Sequence, residues 1–381
     1  MFDRTPDRSS TGSLKWDRYE GRDVLPFWVA DMDFRSPQPV VDALKERCDH
    51  GVFGYTEASE SVVEAVREYL GSVHGWTIDP SWLVWFPGMV PALNVTCRAF
   101  EGGVITAIPV YPPFLTAPDF AGKPLVQVPL AVSENHWEYD WDAMERAITP
   151  DTRVLLLCNP HNPVARVFRR EELERVVAFC RRHDLVLCSD EIHCDLILDP
   201  EREHVTTASL GESAAARTIA LFSPSKTYNL AGLACAYAVI PDPDIRRAFR
   251  RAARGIITEV NAMGYTACEA AYRHGEPWRK ALIEQLRANR DRVGAFFSEH
   301  APEAGLWPME ATYLAWIDLR AYGLARPAAT FEKYGVGLSD GAAFGSPGFV
   351  RLNFGCPPEM LERGLERIGR AFAAIRADRS R

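Results

Sequence analysis

From about residue 60 to residue 240, short apolar runs alternate with amphipathic stretches whose apolar residues recur at helical spacing. Glu171–His183 is one such stretch, and it separates the apolar runs Val154–Cys158 and Leu185–Cys188. Strands that alternate with helices pair in parallel, because each helix carries the chain back across the sheet. We therefore predict an α/β fold with a large, mostly parallel sheet.

The later part of the chain predicts a second, smaller unit. A helical region runs from Pro277 to about His300, and two strand-like runs, Tyr313–Leu319 and Phe349–Asn353, precede a final helix over Glu359–Ala374. We expect an N-terminal arm with part of the small domain (1–46), a large α/β domain (47–276), and a connecting helix with a C-terminal α+β domain (277–381).

Composition argues against several classes of function. The net charge of −8 provides no basic excess for binding nucleic acid or an anionic membrane. No apolar run approaches the roughly 18 residues of a membrane span, and the N-terminus lacks the apolar core of a signal peptide. The nine cysteines include no C-x-x-C pair, which favours reduced core thiols over disulfides or zinc ligands. We expect a cytoplasmic protein without a metal site.

The carboxyl ends of the predicted strands carry the residues of chemical interest, because ligands of open parallel sheets bind beyond those ends. A glycine that opens a helix, a tyrosine, an asparagine, an aspartate and a lysine near two serines follow successive strands: Gly88 with Met89, Tyr111, Asn162, Asp190, and Ser223 and Ser225 with Lys226. The chain contains no G-x-G-x-x-G or G-x-x-x-x-G-K-[ST] motif, so a dinucleotide or P-loop site is disfavoured.

This combination suits pyridoxal 5'-phosphate (PLP). Its aldehyde requires an amine, for which Lys226 is the candidate, and its ring nitrogen requires an anion, for which Asp190 is the candidate. Asn162 would donate to the phenolate oxygen, and Tyr111 would stack on the ring. We assign Lys226, Asp190 and Tyr111 to catalysis. The phosphate suits backbone N–H groups and hydroxyls, here those of Gly88, Met89, Ser223 and Ser225.

Each of these residues also has an ordinary structural interpretation. Asn162 precedes a proline and is by itself a typical turn residue, and Asp190 alone is as readily a helix cap. Lys226 alone resembles any surface lysine. A single histidine such as His193 is most often structural, and we assign it no role. The prediction of a PLP site therefore depends on the joint pattern at the strand ends.

Longer motifs carry a resemblance to a known family. They are Trp28-Val29-Ala30-Asp31-Met32-Asp33-Phe34, Gly54-Tyr55-Thr56, Ser189-Asp190-Glu191-Ile192-His193, Lys226-Thr227-Tyr228-Asn229 and Arg351-Leu352-Asn353-Phe354-Gly355. Over about residues 11–375, the chain resembles the fold-type I PLP enzymes, which share the aspartate aminotransferase fold. Within them it is most similar to the MalY/PatB group of cystathionine β-lyases, or C–S lyases.

The resemblance implies α,β-elimination of a small amino-acid substrate, L-cystathionine or another L-cysteine S-conjugate, to thiol, pyruvate and ammonia. It implies a homodimer with shared active sites, in which Tyr55 reaches the phosphate of the neighbouring subunit. Arg351 would hold the substrate α-carboxylate as a bidentate fork. Tyr313 would line the substrate side of the pocket, and Asp31, in the N-terminal arm, would close over the carboxylate end.

Two departures from the family bear on the reaction. Ala234 stands eight residues after the lysine, where many aminotransferases of this fold carry a phosphate-binding arginine, and this favours the lyase group. Val164 and Ala165 stand where relatives usually have threonine and glycine, which should reshape the loop beside the cofactor.

Two alternative functions stay open at this point. One is a PLP enzyme of the same fold with another outcome, either an aminotransferase or a secondary-metabolite enzyme that cleaves or decarboxylates a bulky cysteine conjugate. The other is a regulatory protein that keeps the fold and acts by binding a partner. The complete set of Lys226, Asp190 and Arg351 argues against a purely non-catalytic role.

Overall fold

The computed structural model describes Phe2, residues 6–133 and residues 135–379. The helices are α1 (Leu14–Asp17), α2 (Gln38–His50), α3 (Glu60–His74), α4 (Met89–Ala99), α5 (Pro113–Phe120), α6 (Trp141–Ala147), α7 (Arg170–Arg182), α8 (Glu212–Ala215), α9 (Pro243–Ala253), α10 (Ala262–His274), α11 (Glu276–His300), α12 (Pro327–Glu332) and α13 (Pro358–Arg379). The strands are β1 (Leu25–Pro26), β2 (Leu83–Phe86), β3 (Gly103–Ile108), β4 (Leu125–Pro129), β5 (Ala131–Ser133), β6 (His136–Glu138), β7 (Thr152–Cys158), β8 (Val186–Asp190), β9 (Thr218–Phe222), β10 (Ala236–Val239), β11 (Gly305–Leu306), β12 (Leu314–Asp318), β13 (Val336–Gly337), β14 (Ser339–Asp340) and β15 (Phe349–Asn353).

The largest sheet has seven strands in the order β2-β10-β9-β8-β7-β3-β4. The strands from β9 to β4 pair in parallel, while β10 is antiparallel to both of its neighbours. Central strands such as β9 are buried along their whole length, as expected where helices cover both faces of a sheet. This arrangement confirms the predicted mostly parallel large sheet and the aminotransferase-like fold.

A smaller antiparallel sheet, in the order β11-β12-β15-β14, follows the 25-residue helix α11. Its strand β15 is buried throughout. Near the N-terminus, β1 pairs in parallel with β13 and so joins the start of the chain to its end. Residues 27–34, which follow β1, form what we call the arm segment.

Two asparagines hold the arm segment through its backbone. Asn353 Nδ2 donates to the carbonyls of Val29 and Asp31, at 2.5 and 2.6 Å. Asn229 accepts the Met32 N–H at 3.0 Å and donates to the Met32 carbonyl at 2.9 Å. Because one asparagine lies on β15 and the other just beyond β9, the arm segment is tied to both sheets.

A buried ion pair also fixes the arm segment. Lys15 Nζ lies 2.6 Å from Asp33 Oδ2, and the two side chains are 1% and 0% exposed. Lys15 Nζ also donates to the Asp31 carbonyl at 3.0 Å, and Trp16 Nε1 donates to Asp33 Oδ1 at 2.8 Å. Charges this deeply buried are tolerated only with such partners.

Two observations bear on the expectations drawn from composition. All nine cysteines are free thiols, and only Cys48 among them is exposed. Within the described ranges, no helix combines the length and apolar character that crossing a membrane requires.

We predict that Lys15→Met destabilises the protein, because it leaves the Asp33 carboxylate buried without its closest cation. Arg8 still contacts Asp33 at 2.8 Å, so we expect a loss near the lower end of the usual range, about 3 kcal/mol. Equilibrium urea unfolding measures this free energy. The matched control is Lys45→Met on α2, whose side chain is 66% exposed and whose loss should stay within about 0.5 kcal/mol. Equal effects of the two substitutions would contradict the prediction.

Candidate active site

The site lies where β7, β8 and β9 end. Asp190 is the last residue of β8 and is in register with Cys158 at the end of β7 and with Leu221 on β9. The chain beyond β7 and β9 then brings Asn162 and Lys226 to the same edge. One cavity is lined by residues that the sequence predicts for a PLP site, namely Gly88, Met89, Tyr111, Asn162, Asp190, Ser223, Ser225 and Lys226.

The Lys226 amine reaches into this cavity and touches the arm segment. Its Nζ donates to the Ala30 carbonyl at 2.6 Å. Burial lowers the pKa of Lys226, and the positive charge of Arg351 lowers it further, to about 8. An uncharged amine, which is the nucleophilic and basic form, is therefore accessible close to physiological pH.

The Asp190 carboxylate is buried with little to stabilise its charge. It is 2% exposed and accepts one hydrogen bond, from the Ile192 N–H at 3.2 Å. Burial raises the pKa of Asp190 to about 7. A carboxylate in this environment favours a cationic partner, and the protonated ring nitrogen of PLP is a cation of this kind.

The phosphate candidates cluster at the start of α4 and after β9. Gly88 precedes α4 with a φ of +123°, a conformation that side-chain-bearing residues rarely adopt. The first turn of α4 offers backbone N–H groups and the positive end of the helix dipole. Ser223 Oγ donates to the Cys235 carbonyl at 2.7 Å and lies 2.8 Å from Ser225 Oγ. Together these groups form a polar cradle suited to a phosphate.

Arg351 is a buried cation without an anionic partner. It is 5% exposed, and it forms no ion pair with any residue that the structure describes. Its Nη1 donates to Asn162 Oδ1 at 3.0 Å, its Nη2 donates to the Trp28 carbonyl at 2.9 Å, and its Nε has no hydrogen-bond partner among the described residues. Burial lowers its pKa to about 10. A carboxylate ligand would supply the missing charge.

The remaining predicted residues have different environments. Tyr111 lines the cavity, and burial together with the charge of Asp190 raises its pKa. Tyr313 lies beside the cavity, fully buried, and its hydroxyl donates to the Ala30 carbonyl at 3.0 Å. The Asp31 carboxylate is bound by Arg8, with 2.9 Å between Oδ2 and Nη2.

Tyr55 lies apart from the cavity of its own chain. It is fully exposed, in a stretch over residues 51–59 that contains neither helix nor strand. Its neighbours Val52 and Phe53 are also largely exposed.

The two departures from the family pattern, at Val164-Ala165 and at Ala234, change the turn beside the cavity and the lining of the cavity. Ala165 adopts a φ of +59°, the left-handed conformation that glycine adopts more readily, at a cost of about 1–2 kcal/mol. Its N–H donates to the His161 carbonyl at 2.8 Å, which holds the turn in place. The neighbouring Val164 packs in the core. Ala234 lines the cavity with a methyl group where an arginine would place a cation.

The structure also places His193 in the cavity, although its sequence context gave us no reason to assign it a role. It is 2% exposed, and within the part of the chain that the structure describes its Nδ1 has no hydrogen-bond partner. Burial and the charges of Lys226 and Arg351 lower its pKa well below the usual value, so the imidazole is neutral. The signal in the sequence was its position three residues after Asp190, at the same strand end.

Comparisons with known proteins agree with this geometry. Residues 22–368 match the family described as aminotransferase class I and II. The cystathionine β-lyase PatB of Bacillus subtilis (strain 168) is 37% identical over 386 residues, which cover 98% of this chain and 100% of PatB.

Solved structures show the same relationship. The crystal structure of OvoB superposes with a TM-score of 0.95 at 45% identity, covering 98% of each chain. Cystalysin of Treponema denticola, whose structure contains PLP, superposes with a TM-score of 0.94 at 33% identity, covering 98% of this chain and 99% of cystalysin.

The cofactor of this family is PLP, and the residues present fit it. The basic amine of Lys226, the carboxylate of Asp190 and the polar cradle before α4 match its aldehyde, ring nitrogen and phosphate. The chain belongs to the aminotransferase class I and II family and, within it, to the cystathionine β-lyases related to PatB.

Proposed function

We propose that the protein is a PLP-dependent C–S lyase that performs α,β-elimination on L-cystathionine or another L-cysteine S-conjugate. The observation that carries the proposal is that Lys226 and Asp190 line one cavity, and that Arg351, which pairs with no acidic residue in the described part of the chain, donates to Asn162 of the same cavity. The names of PatB and of other relatives as cystathionine β-lyases support the choice of reaction.

The chemistry divides among few groups. When bound, PLP supplies a ring that accepts the electrons left on the substrate Cα when its proton departs. Lys226 Nζ takes that proton, because burial and Arg351 keep its pKa near 8 and its lone pair available. Asp190 keeps the ring nitrogen protonated. One S-conjugate and one water give one thiol, one pyruvate and one ammonia.

Arg351 orients the substrate for this proton transfer. Its two Nη atoms are held by Asn162 and by the Trp28 carbonyl, so the guanidinium plane is fixed before a substrate binds. A planar guanidinium binds a carboxylate through two hydrogen bonds. The α-carboxylate would therefore be anchored beside Lys226, with the Cα proton turned toward the amine.

An aminotransferase is the main alternative, and one feature of the cavity disfavours it. Ala234 replaces the arginine that many aminotransferases of this fold use to bind the phosphate. The cradle at Gly88 and the two serines then carries the phosphate by hydrogen bonds with less fixed charge.

We further propose a cytoplasmic homodimer. The exposed apolar side chains Val52, Phe53 and Tyr55 lie close together in sequence, as expected for a surface that a second subunit covers. Tyr55 of one subunit would then reach the phosphate site of the other.

The reaction is tested by measuring two products in one assay. PLP-loaded protein is incubated with L-cystathionine and a panel of S-alkyl-L-cysteines, without a keto acid. We expect thiol and pyruvate in equal amounts. Lys226→Ala should lower the rate at least about 100-fold, because it removes the base. Amino-group transfer to an added keto acid without release of thiol would overturn the proposal in favour of transamination.

We predict that Asp190→Asn weakens cofactor binding, because a neutral amide replaces the anion facing the ring nitrogen. A charged hydrogen bond contributes about 1.5–3 kcal/mol, so the dissociation constant for PLP should rise about 10- to 100-fold. Fluorescence titration of the apoprotein measures it. Asp184→Asn makes the same change at an exposed position just before β8 and should leave the constant unaltered. Equal affinities of the two variants would refute this role of Asp190.

We predict that Arg351→Ala raises KM about 10- to 100-fold with a smaller effect on kcat, since the lost carboxylate contact serves mainly binding. Arg351→Lys keeps the positive charge but not the two-pronged guanidinium, so its KM should lie between those of the unaltered protein and Arg351→Ala. Steady-state kinetics on the best substrate of the panel give both constants, and PLP content checks that the variants fold. A fall in kcat at unchanged KM would argue against a carboxylate anchor.

A further inference from the structure

A second cavity, separate from the one around Lys226, brings together three side chains that ligate metals. His74, Cys194 and Asp195 line it, and one potential ligand atom from each lies within 4.8 Å of the other two. His74 Nε2 is 2.9 Å from Asp195 Oδ1, and both side chains are at most 4% exposed. The active-site chemistry proposed above uses none of the three.

We propose that His74, Cys194 and Asp195 bind one divalent transition-metal ion, with Zn²⁺ as the best match. Thiolate, imidazole and carboxylate are the three side-chain ligands that zinc takes in proteins, usually in tetrahedral geometry. Mg²⁺ and Ca²⁺ prefer sites built from oxygen atoms alone, so the sulfur and nitrogen donors select against them.

The surrounding structure orients two of the three donors, His74 and Asp195. His74 is the last residue of α3, and its ring packs edge-to-face against Tyr69 and His204, with centroid distances of 5.9 and 5.5 Å. Asp195 Oδ2 accepts a hydrogen bond from Thr227 Oγ1 at 3.2 Å, which leaves Oδ1 directed at His74. Outer contacts of this kind hold metal ligands in position.

The cavity also provides access and a fourth position. Its volume is about 570 Å³. Two further polar atoms of its lining residues, His204 Nδ1 and Thr206 Oγ1, are buried and find no hydrogen-bond partner in residues 6–133 and 135–379 or in Phe2. Three protein ligands leave a tetrahedral ion one open position, which a water molecule from the cavity can fill.

Metal binding at this site releases protons and changes no oxidation state. The ion displaces the thiol proton of Cys194, and His74 binds it through a ring nitrogen that carries no hydrogen in the complex. The displaced protons pass to solvent, so at least one proton is released for each ion bound. His74 and Asp195 are 121 residues apart in sequence, so the ion would cross-link the end of α3 to the segment after β8. A ligand that binds only the folded state stabilises it.

The test measures bound metal on the PLP-loaded protein. The protein is incubated with ZnCl₂, desalted, and assayed for zinc by mass spectrometry. We expect one zinc per chain and a higher Tm in the presence of zinc, but not of MgCl₂. Co²⁺ should give the visible absorption bands of a tetrahedral complex, at longer wavelengths than PLP absorbs.

Variants distinguish zinc binding at this site from adventitious zinc binding elsewhere on the protein. Cys194→Ser and His74→Gln should each lose the zinc and the Tm rise while keeping their PLP, which shows that they fold. Cys48→Ser removes the exposed thiol and should behave like the unaltered protein. The proposal is overturned if the unaltered protein retains no zinc after desalting, or if Cys194→Ser retains as much.

Discussion

The hydrogen-bonded register of β7, β8 and β9 is the constraint on which the active site depends. Cys158, Asp190 and Leu221 are paired across these strands, so their carboxyl ends stop at one edge. Every residue of β9 and every residue of β7 except Arg153 is buried, and a shift by one residue would turn every side chain to the opposite face. The packing of the core thus fixes where the catalytic carboxylate emerges, and the short connections after β7 and β9 need only place Asn162 and Lys226 beside it.

The arm segment supplies the backbone carbonyls that position the side chains of the active site. Its Ala30 carbonyl accepts hydrogen bonds from both Lys226 and Tyr313, and its Trp28 carbonyl accepts one from Arg351. These contacts use backbone atoms, so they place few demands on the side chains of the arm segment. The course of the arm segment depends instead on the side chains that bind its backbone. Among them are Asn229, on the side of the large sheet, and Asn353, on the side of the small one. The active site is therefore built from both sheets and the segment between them.

Much of this could be predicted from the sequence because the pattern is local. The helix predicted over Glu171–His183 is α7 (Arg170–Arg182), and the order of residues at strand ends anticipates the cavity, since a parallel sheet gathers those ends. The contacts of Asn229 with the arm segment could not be predicted, because they join residues 197 positions apart and depend on no periodicity. His193 was missed for a related reason. A lone histidine looks the same in sequence whether its nitrogens are paired or, as here, one is buried unpaired.

Burial shifts the pKa values of the four charged or chargeable side chains Lys226, Arg351, Asp190 and His193 in the same sense, toward the uncharged form of each. It lowers the pKa of Lys226 to about 8 and that of Arg351 to about 10, and it raises that of Asp190 to about 7. His193 is neutral for the same reason. Each charge that burial disfavours has a complement in the ligands: the ring nitrogen of PLP for Asp190 and an α-carboxylate for Arg351. An opposite charge brought into a low-dielectric site restores the ionised form. Cofactor and substrate are therefore bound most strongly by the side chains whose charge burial disfavours. The Asp190 carboxylate thereby selects a cationic ring nitrogen, and the Arg351 guanidinium selects an anionic carboxylate. Lys226 gains no anionic partner from these ligands and stays the uncharged base.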